Sequence, residues 1–342
     1  MNAAAWRGRR VLVTGHTGFK GAWLALWLQR LGAHMTGLAL EAPTNPSLHA
    51  LVGADGAAPV DLRDAASVTQ RVREAEPEVV FHLAARSLVR PAFADPVGTY
   101  AVNVLGTAHV LEALRDSSVQ AVVVVTSDKV YAPAPGAHTE ASPVGGVEPY
   151  SSSKAAAELV AAAYRGSYDL PLSTARAGNV IGGGDWAMDR IVPDVLRALE
   201  RAEPVALRHP DAIRPWQHVL DPLHGYVLLA ERLLKSPSGA PDALNFGPDA
   251  AESCSVAELV ERLTAGFGGK PGWQLDEDAP SVPETVELRL DASRAAAELG
   301  WAPALDLDEA IGWTVEWHQA HARGEDVRAF TLGQIESYEA RL

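Results

Sequence analysis

The sequence predicts an α/β fold: a doubly wound parallel sheet of the Rossmann type with a smaller C-terminal substrate lobe. Apolar strand-like runs alternate with helical segments through the first half of the chain, as in parallel sheets covered by helices on both faces. The first run, 11–14, leads directly into a glycine-rich turn and a helix. Beyond residue 179 a run of glycines and a cluster of prolines end the alternation. We therefore predict a dinucleotide-binding domain over 1–180, with later segments returning to its sheet, and a mainly substrate-binding lobe over 181–342.

Hydrophobic spacing predicts each element in order. Short apolar runs predict strands at residues 11–14, 35–40, 58–60, 79–83, 121–126 and 172–177. Apolar residues at helical spacing predict helices at 19–31, 64–75, 97–115, 150–166, 190–200, 223–235, 255–266, 293–299 and 307–321. In the first helix, Trp23, Trp27 and Leu31 share one face and Gly32 follows as a C-cap residue. The stretch 132–148, rich in alanine, proline and glycine, predicts a mobile loop.

Composition and charge exclude several classes of protein. The 342 residues are 47% apolar and 21% charged, which is ordinary for a globular chain. A net charge of −14 argues against a nucleic-acid or acidic-membrane binder, which would need a basic face. The sequence has no apolar run long enough for a membrane span and no pattern of a signal peptide. The lone Cys254 can form no internal disulfide and has no metal-ligand partner at short spacing, so we expect a cytoplasmic protein without a metal.

Lysine is rare in this chain. Only five of the 29 basic residues are lysine: Lys20, Lys129, Lys154, Lys235 and Lys270. A lysine can lose its proton inside a protein, whereas an arginine cannot. A lysine retained in this background is therefore a candidate for proton transfer. The first three lie in the motifs described next.

The first motif has the spacing G-x-x-G-x-x-G between a strand and a helix. It comprises Gly15, His16, Thr17, Gly18, Phe19, Lys20 and Gly21. Glycines at such a turn let the backbone approach a pyrophosphate, which then lies at the helix N-terminus. Plain turn chemistry is the alternative, but the flanking strand and helix favour dinucleotide binding.

The residues that would contact the adenosine end are less clear. An acid usually follows the second strand and binds the ribose, but here Glu41 comes slightly late. The choice between NAD and NADP therefore stays open from the residues alone. Asp61 and Leu62, after the predicted third strand, are placed to contact the adenine edge. Asp61 could equally be the N-cap of the 64–75 helix.

The second motif is Tyr150-x-x-x-Lys154, which places both side chains on one helix face. A lysine ammonium beside a phenol lowers the phenol pKa, so the phenolate can take a proton from a sugar hydroxyl during hydride transfer. An ordinary surface pair is the alternative. The position directly after the predicted fifth strand favours a reacting site.

The third motif, Thr126-Ser127-Asp128-Lys129, ends that predicted fifth strand. Ligands bind at this carboxyl edge in doubly wound sheets. Ser127 can bind the same sugar hydroxyl as Tyr150, while Asp128 and Lys129 would add an acid and a base beyond a redox step. A solvated Asp–Lys pair is the alternative.

These motifs together resemble the extended short-chain dehydrogenase/reductase family and, within it, the branch that dehydrates nucleotide-linked glucose. The resemblance covers essentially the whole chain. The matching blocks are residues 13–21, 82–85, 127–129, 150–154, 175–186, 214–219, 245–248, 299–301 and 330–335.

The resemblance implies CDP-glucose as substrate and an NAD that is not consumed: C4 is oxidised, water is lost across C5 and C6, and C6 is then reduced. It implies that Tyr150, with Ser127 and Lys154, acts at the C4 hydroxyl. Asp128 would protonate the departing C6 hydroxyl, and Lys129 stands where thymidine-sugar relatives place the glutamate that removes the C5 proton. NAD contacts are expected from residues 15–21, Asp61, Leu62, Ala84, Ala85, Thr126, Tyr150 and Lys154. The nucleotide sugar is expected at Asn179, Arg190, Arg214 and Asn245.

Two other functions remain open. A nucleotide-sugar 4-epimerase, or a dehydratase for another base, would share most of these residues, although an epimerase has no hydroxyl for Asp128 to expel. A non-catalytic dinucleotide sensor would have no need of Tyr150 and Lys154. The resemblance also suggests a homodimer, with the helices at 97–115 and 150–166 as the interface.

Overall fold

A six-stranded parallel sheet forms the centre of the computed structural model, which describes residues 2–53, 58–249, 252–276 and 288–342. The described strands are β1 Arg10–Thr14, β2 His34–Leu38, β3 Val79–His82, β4 Ala121–Val125, β5 Leu172–Ala177, β6 Val180–Ile181, β7 Val205–Leu207, β8 Ile213–Arg214, β9 Gln217–His218, β10 Ala243–Phe246, β11 Cys254–Ser255 and β12 Trp273–Leu275. The central order is β10-β5-β4-β3-β1-β2. This is the doubly wound sheet that the sequence predicts.

Helices cover both faces of the sheet. They are α1 Phe19–Arg30, α2 Leu48–Val52, α3 Ala65–Ala75, α4 Val89–Ala94, α5 Pro96–Tyr100, α6 Gly106–Leu114, α7 Pro149–Tyr168, α8 Ile191–Arg201, α9 Leu220–Lys235, α10 Val256–Gly266, α11 Ser293–Leu299, α12 Leu307–Ala322 and α13 Val327–Glu339. A π-helical segment, Ala101–Leu105, joins α5 to α6. No helix in the described ranges is long and apolar enough to cross a membrane.

The two faces of the sheet bury separate apolar clusters because side chains alternate along each strand. On β1, Val11 and Val13 pack with α1 and α9 in one cluster. Leu12 points the other way and packs with α3 and α6. Because helices cover both faces of the sheet, the strands are continuous apolar runs. The carboxyl ends of the strands form the open edge of the sheet.

The predicted strand at 58–60 is wrong. Its described residues form no strand, and only the Val60 N–H donates to the Ala39 carbonyl, at 2.8 Å. Pro59 has no N–H to give to a ladder, which explains why the run does not join the sheet. The strand that carries Ser127 at its end is consequently the fourth in chain order, not the fifth.

The end of α1 agrees with the prediction, whereas three of the observed helices were not predicted. Leu31 is the C-cap of α1 and Gly32 follows with φ +86°, as the C-cap prediction requires. Three helices, α2, α4 and α13, are not among those predicted from the sequence. Two of these are five or six residues long, too short for a periodic signal.

Hydrogen bonds fasten the segment 132–148, which the sequence predicts to be a mobile loop. The Ala132 N–H donates to the Pro143 carbonyl at 2.9 Å, and the Gly145 N–H to the Val130 carbonyl at 2.8 Å. The His138 N–H donates to the Arg289 carbonyl at 2.9 Å. Low apolar content therefore does not make this segment a free loop.

Candidate active site

The glycine-rich turn forms an open cradle at the start of α1. Gly15 has φ +73°, and a Cβ on Gly21 would lie 2.1 Å from the Gly15 carbonyl oxygen, so both positions require glycine. Gly18 is the N-cap of α1 and gives no side-chain cap, which leaves the first-turn N–H groups for a ligand. These features fit a pyrophosphate at the positive end of the helix.

The neighbouring strand ends approach this cradle closely. A Cβ on Gly15 would lie 2.7 Å from the Ala84 nitrogen, and the Ala84 N–H donates to Thr14 Oγ1 at 3.1 Å. His16 is buried, and a Cβ on Gly37 would lie 2.3 Å from its ring. Thr17 Oγ1 donates to the Leu40 carbonyl at 3.0 Å. The motif residues therefore fold against β2 and β3, and Ala85 follows at the cleft, half-buried.

Asp61 does not cap a helix. Arg63 Nε donates to its carboxylate at 3.0 Å from each oxygen and Arg63 Nη2 donates to Oδ2 at 2.6 Å, and this pairing is the main cause of the lowered Asp61 pKa. The N-cap of α3 is Asp64, which accepts from the Ala66 and Ser67 N–H groups. Leu62 is buried. The capping alternative for Asp61 is therefore wrong.

Tyr150, Ser127 and Asp128 form one buried hydrogen-bonded row at the end of β4. Ser127 Oγ donates to Asp128 Oδ1 at 2.9 Å, and a side-chain hydrogen bond joins Ser127 to the Tyr150 phenol. All three side chains are buried. The structure thus brings the Tyr-x-x-x-Lys motif and the strand-end motif into direct contact.

The two lysines of these motifs differ in burial and in their contacts. Lys154 is buried, and its Nζ donates to the Val125 carbonyl at 2.9 Å. Burial lowers the Lys154 pKa to about 8, against the opposing charge of Glu158. Lys129 is half-buried, and its backbone N–H donates to Ser127 Oγ at 3.2 Å.

The expected effect of Lys154 on the Tyr150 phenol is wrong for this structure. Burial raises the Tyr150 pKa to about 12. The groups that oppose this rise are the Ser127 hydrogen bond and the charge of Arg190, not Lys154. The ammonium is turned instead toward the Val125 carbonyl and Glu158.

Asp128 has the environment of a proton donor. Burial raises its pKa, although Lys129, Ser127, Arg214 and Lys20 all favour the carboxylate. Its Oδ2 atom is buried and makes no hydrogen bond with any described residue. A carboxyl group with a raised pKa and one free oxygen can hold a proton for a leaving group.

Glu158 anchors α7, and with it Tyr150 and Lys154, to the sheet. Arg176 on β5 donates to its carboxylate through Nε at 3.0 Å and NH2 at 2.7 Å. Thr126 also donates to this carboxylate. The pair is buried on both sides, so it fixes the helix by charge as well as by packing.

A cavity of about 460 Å³ lies among β6, β7, β8 and α8. Three of the four predicted substrate residues line it: Asn179, Arg190 and Arg214. Two of these lining residues act by charge on the reacting groups, Arg190 on Tyr150 and Arg214 on Asp128. Its volume is within the range of small-molecule sites.

Asn245 is not part of this cavity. Its side chain is fully buried, and its amide donates to the carbonyls of His138, at 2.9 Å, and Asp291, at 3.1 Å. Tyr131 Oη donates to its Oδ1 at 2.6 Å. Both amide hydrogens are used inside the protein. Asn245 therefore fastens the 132–148 segment, and the prediction that it holds substrate is not supported.

Sequence analysis missed one group at the edge of the cleft. Tyr226 on α9 is fully buried, and Lys20 Nζ donates to its hydroxyl at 3.4 Å. In the sequence, Tyr226 lies among the apolar residues of a core helix, so it carries no separate signal.

The glycine cradle, the Tyr-x-x-x-Lys helix and the strand-end serine define a dinucleotide-dependent enzyme of the short-chain dehydrogenase/reductase class. Residues 11–247 match the model of the NAD dependent epimerase/dehydratase family, and the chain belongs to this family.

Individual relatives narrow the resemblance. The CDP-glucose 4,6-dehydratase of Salmonella typhimurium is 44% identical, covering 97% of this chain and 97% of that protein. A UDP-glucose 4-epimerase of Mycolicibacterium smegmatis is 33% identical, and the match covers 90% of this chain and 98% of that protein. Among solved structures, the dTDP-glucose 4,6-dehydratase DesIV of Streptomyces venezuelae, with NAD and TYD bound, has a TM-score of 0.78 and is 26% identical. The match covers 92% of this chain and 98% of that chain.

Proposed function

We propose that this protein is a hydro-lyase that converts CDP-glucose to CDP-4-keto-6-deoxyglucose with NAD as cofactor. The observation that carries the proposal is the buried row in which Asp128, an acid with a raised pKa, is joined through Ser127 to Tyr150. A C4 oxidation needs only the base, whereas a dehydration needs the acid as well. The Salmonella dehydratase, similar over nearly the whole chain, supports CDP as the nucleotide.

The residues present fit NAD. The glycine cradle of residues 15–21 would hold the pyrophosphate. Its backbone is packed so closely that a Cβ on Gly21 would collide with the Gly15 carbonyl oxygen. Asp61, Leu62, Ala84, Ala85 and Thr126 would line the remainder of the cofactor site. NAD, when bound, accepts hydride from the sugar C4 and returns it to C6.

Each reacting side chain has one task. Tyr150, bonded to Ser127, takes the proton of the C4 hydroxyl, while Lys154, one turn along α7, donates to the Val125 carbonyl. The resulting C4 ketone acidifies the C5 proton, which Lys129 removes as a neutral amine, becoming an ammonium. Asp128 protonates the C6 hydroxyl so that it leaves as water. Oxidation must come first, since C5 is not acidic before the ketone forms.

The nucleotide sugar is held by the cavity residues. Arg190 and Arg214 suit the diphosphate, because guanidinium groups bind phosphate oxygens through paired charge-assisted hydrogen bonds. Asn179 lines the same cavity. Residues 1–180 then bind mainly NAD, and residues 181–342 bind mainly the nucleotide sugar.

A nucleotide-sugar 4-epimerase is the second candidate, and the similar epimerase of M. smegmatis favours it. An epimerase uses a base at C4 but expels no hydroxyl. A buried Asp128 beside that base would then have no task in the reaction.

An isotope experiment separates these functions. CDP-glucose carrying deuterium at C4 is expected to give a 4-keto-6-deoxy product with deuterium at C6, without added reductant. Mass spectrometry and NMR locate the label, and UDP-, dTDP- and GDP-glucose serve as controls for the base. A C4-epimer would indicate the epimerase. Deuterium in solvent or in released reduced cofactor would contradict the proposed sequence of steps.

The protein also presents a surface suited to a second copy of itself. Val97, Leu105 and Leu159 are exposed apolar side chains on α5, the π-helical segment and α7. Exposed apolar groups on adjacent helices are typical of an interface. We expect light scattering to give twice the chain mass of 36.2 kDa, and Leu159→Glu to lower it. A monomeric wild type would contradict the dimer.

A further inference from the structure

Gly178 lies beside Asp128 at the carboxyl edge of the sheet. In the parallel pair of β4 and β5, Val125 is paired with Ala175, so residues 128 and 178 leave the sheet side by side. Gly178 is half-buried in the short link between β5 and β6. The register of the two strands therefore brings this glycine to the proposed acid.

A side chain at position 178 would collide with the Asp128 carboxyl. A Cβ on Gly178 would lie 2.9 Å from Asp128 Oδ2 and 3.1 Å from Pro215 Cγ, and the first distance is shorter than real Cβ contacts allow. The φ of Gly178 is outside the left-handed region, so its backbone could accept an alanine. The space beside Asp128, rather than the backbone conformation, therefore requires glycine here.

Two contacts fix the orientation of the Asp128 carboxyl. Ser127 Oγ donates to Oδ1 at 2.9 Å, and Oδ2 faces the bare Cα of Gly178. A glycine Cα carries no polar hydrogen, so Oδ2 is packed against it without being hydrogen-bonded. The carboxyl is thus held in one orientation while one oxygen keeps its hydrogen-bonding capacity for a sugar hydroxyl.

The charges around Asp128 would favour its ionised form if the carboxyl were less buried. Lys129 follows it in the chain, Arg214 lies on β8 and Lys20 on α1, and all three favour the carboxylate. Burial is the larger influence and raises the Asp128 pKa. The other titratable groups that feel its charge are Tyr150, Tyr226 and His138. Packing against Gly178 is part of this burial, so its loss should favour the form that cannot donate a proton.

We propose that Gly178 is a positioning residue that holds the Asp128 carboxyl in place for the dehydration step, an inference that rests on the proposed function. Gly178 acts only through Asp128, by leaving the space that the carboxyl occupies. With a Cβ in that space the carboxyl has to turn away, since the end of a side chain moves more easily than backbone. Oxidation at C4 depends on Tyr150 and Ser127 and should survive this change, whereas the loss of water should not.

The variant Gly178→Ala separates the two steps. After rapid mixing with CDP-glucose, reduced cofactor should form at the wild-type rate. Its reoxidation, with release of the 4-keto-6-deoxy product, should be slower by about 10²-fold, the loss expected for a misplaced general acid. Gly166→Ala is the matched control and should behave as wild type, because a Cβ at this position on α7 would meet no neighbouring atom within 4 Å. Normal product formation in Gly178→Ala, or equal slowing of both steps, would overturn the proposal.

A double variant shows whether the effect depends on Asp128. Asp128→Ala removes both the acid and the group that collides, so adding Gly178→Ala to it should slow the elimination no further. A further loss in the double variant would mean that Gly178 acts through another group, and the proposal would be wrong. If Gly178→Ala alone does not fold, the double variant should fold, because the collision is gone. Failure of both to fold would place the conflict elsewhere and contradict the proposal.

A titration without substrate gives an independent measurement. Aspartate labelled at its carboxyl carbon reports ionisation by NMR, and the Asp128 signal is the one lost in Asp128→Ala. Its midpoint should be lower in Gly178→Ala than in wild type and unchanged in Gly166→Ala. An unchanged midpoint in Gly178→Ala would overturn the inference whether or not CDP-glucose is turned over. If the wild type forms no 4-keto product, the proposed function fails and the role in dehydration fails with it, while the midpoint still decides whether Gly178 positions the carboxyl.

Discussion

Tyr150→Phe is expected to lower kcat for the 4-keto product by about 10²–10⁴-fold, the usual worth of a positioned acid–base group. The phenol is the group that can take the C4 hydroxyl proton, and its hydrogen bond with Ser127 fixes it at the end of β4. The aromatic ring that packs in the cleft is unchanged by the substitution. Stopped-flow absorbance of the reduced cofactor measures the C4 oxidation directly.

The pH dependence gives the control for this variant. Burial holds the Tyr150 pKa at about 12, so the phenol is protonated at neutral pH and becomes a base only as pH rises. Wild-type C4 oxidation should therefore accelerate with rising pH toward that value. In Tyr150→Phe this slope should disappear, while the KM for CDP-glucose changes little. Near-normal turnover in the variant would mean that the Tyr-x-x-x-Lys spacing is a coincidence.

Lys129→Met is expected to oxidise C4 but to stall before water is lost. A methionine of similar length cannot accept the C5 proton, so reduced cofactor should accumulate on the enzyme. For the same reason, solvent deuterium should fail to enter C5. Absorbance at the reduced-cofactor band and NMR of the product report these two effects separately.

The effect of Lys129 on the Asp128 pKa decides how a stalled Lys129→Met variant is interpreted. The Lys129 ammonium lowers the Asp128 pKa, so removing it should raise that pKa and keep the acid protonated. A stall therefore cannot come from a missing proton on Asp128. Lys129→Arg, which keeps the charge without a base, should stall in the same way. Normal elimination in either variant would make Lys129 only an electrostatic support and place the C5 base elsewhere.

Local patterns were enough to predict the main parts of the site. The glycine spacing before α1 and the Tyr150–Lys154 spacing each depend on one stretch of backbone, so their geometry follows from a turn or a helix. The location of the strand ends can also be predicted, because parallel strands place their carboxyl ends at one edge of the sheet. Ser127 and Asp128 follow β4, and Tyr150 lies in the first turn of α7, so the two motifs meet at this edge.

Contacts that form on folding decided the residues that sequence reasoning left wrong or open. Asn245 matched a substrate position in sequence, but His138 and Asp291 from other segments occupy its amide. For Asp61 the sequence left open a contact with the adenine or a helix cap, and the cap is Asp64 while Asp61 pairs with Arg63. In both cases the side chain could do either task, and only its packed surroundings decided which.

By itself, the sequence determined the doubly wound sheet, the cradle at the start of α1 and the residues that meet at the end of β4, because each follows from backbone periodicity or from strand direction. The tertiary structure decided the proton chemistry. The phenol of Tyr150 has a raised pKa although a lysine follows four residues later, and Lys20 has a lowered pKa although it stands in a phosphate-binding motif. A pKa depends on burial and on charges within a few ångströms, and these come from α8, α9 and the end of β4, far apart along the chain.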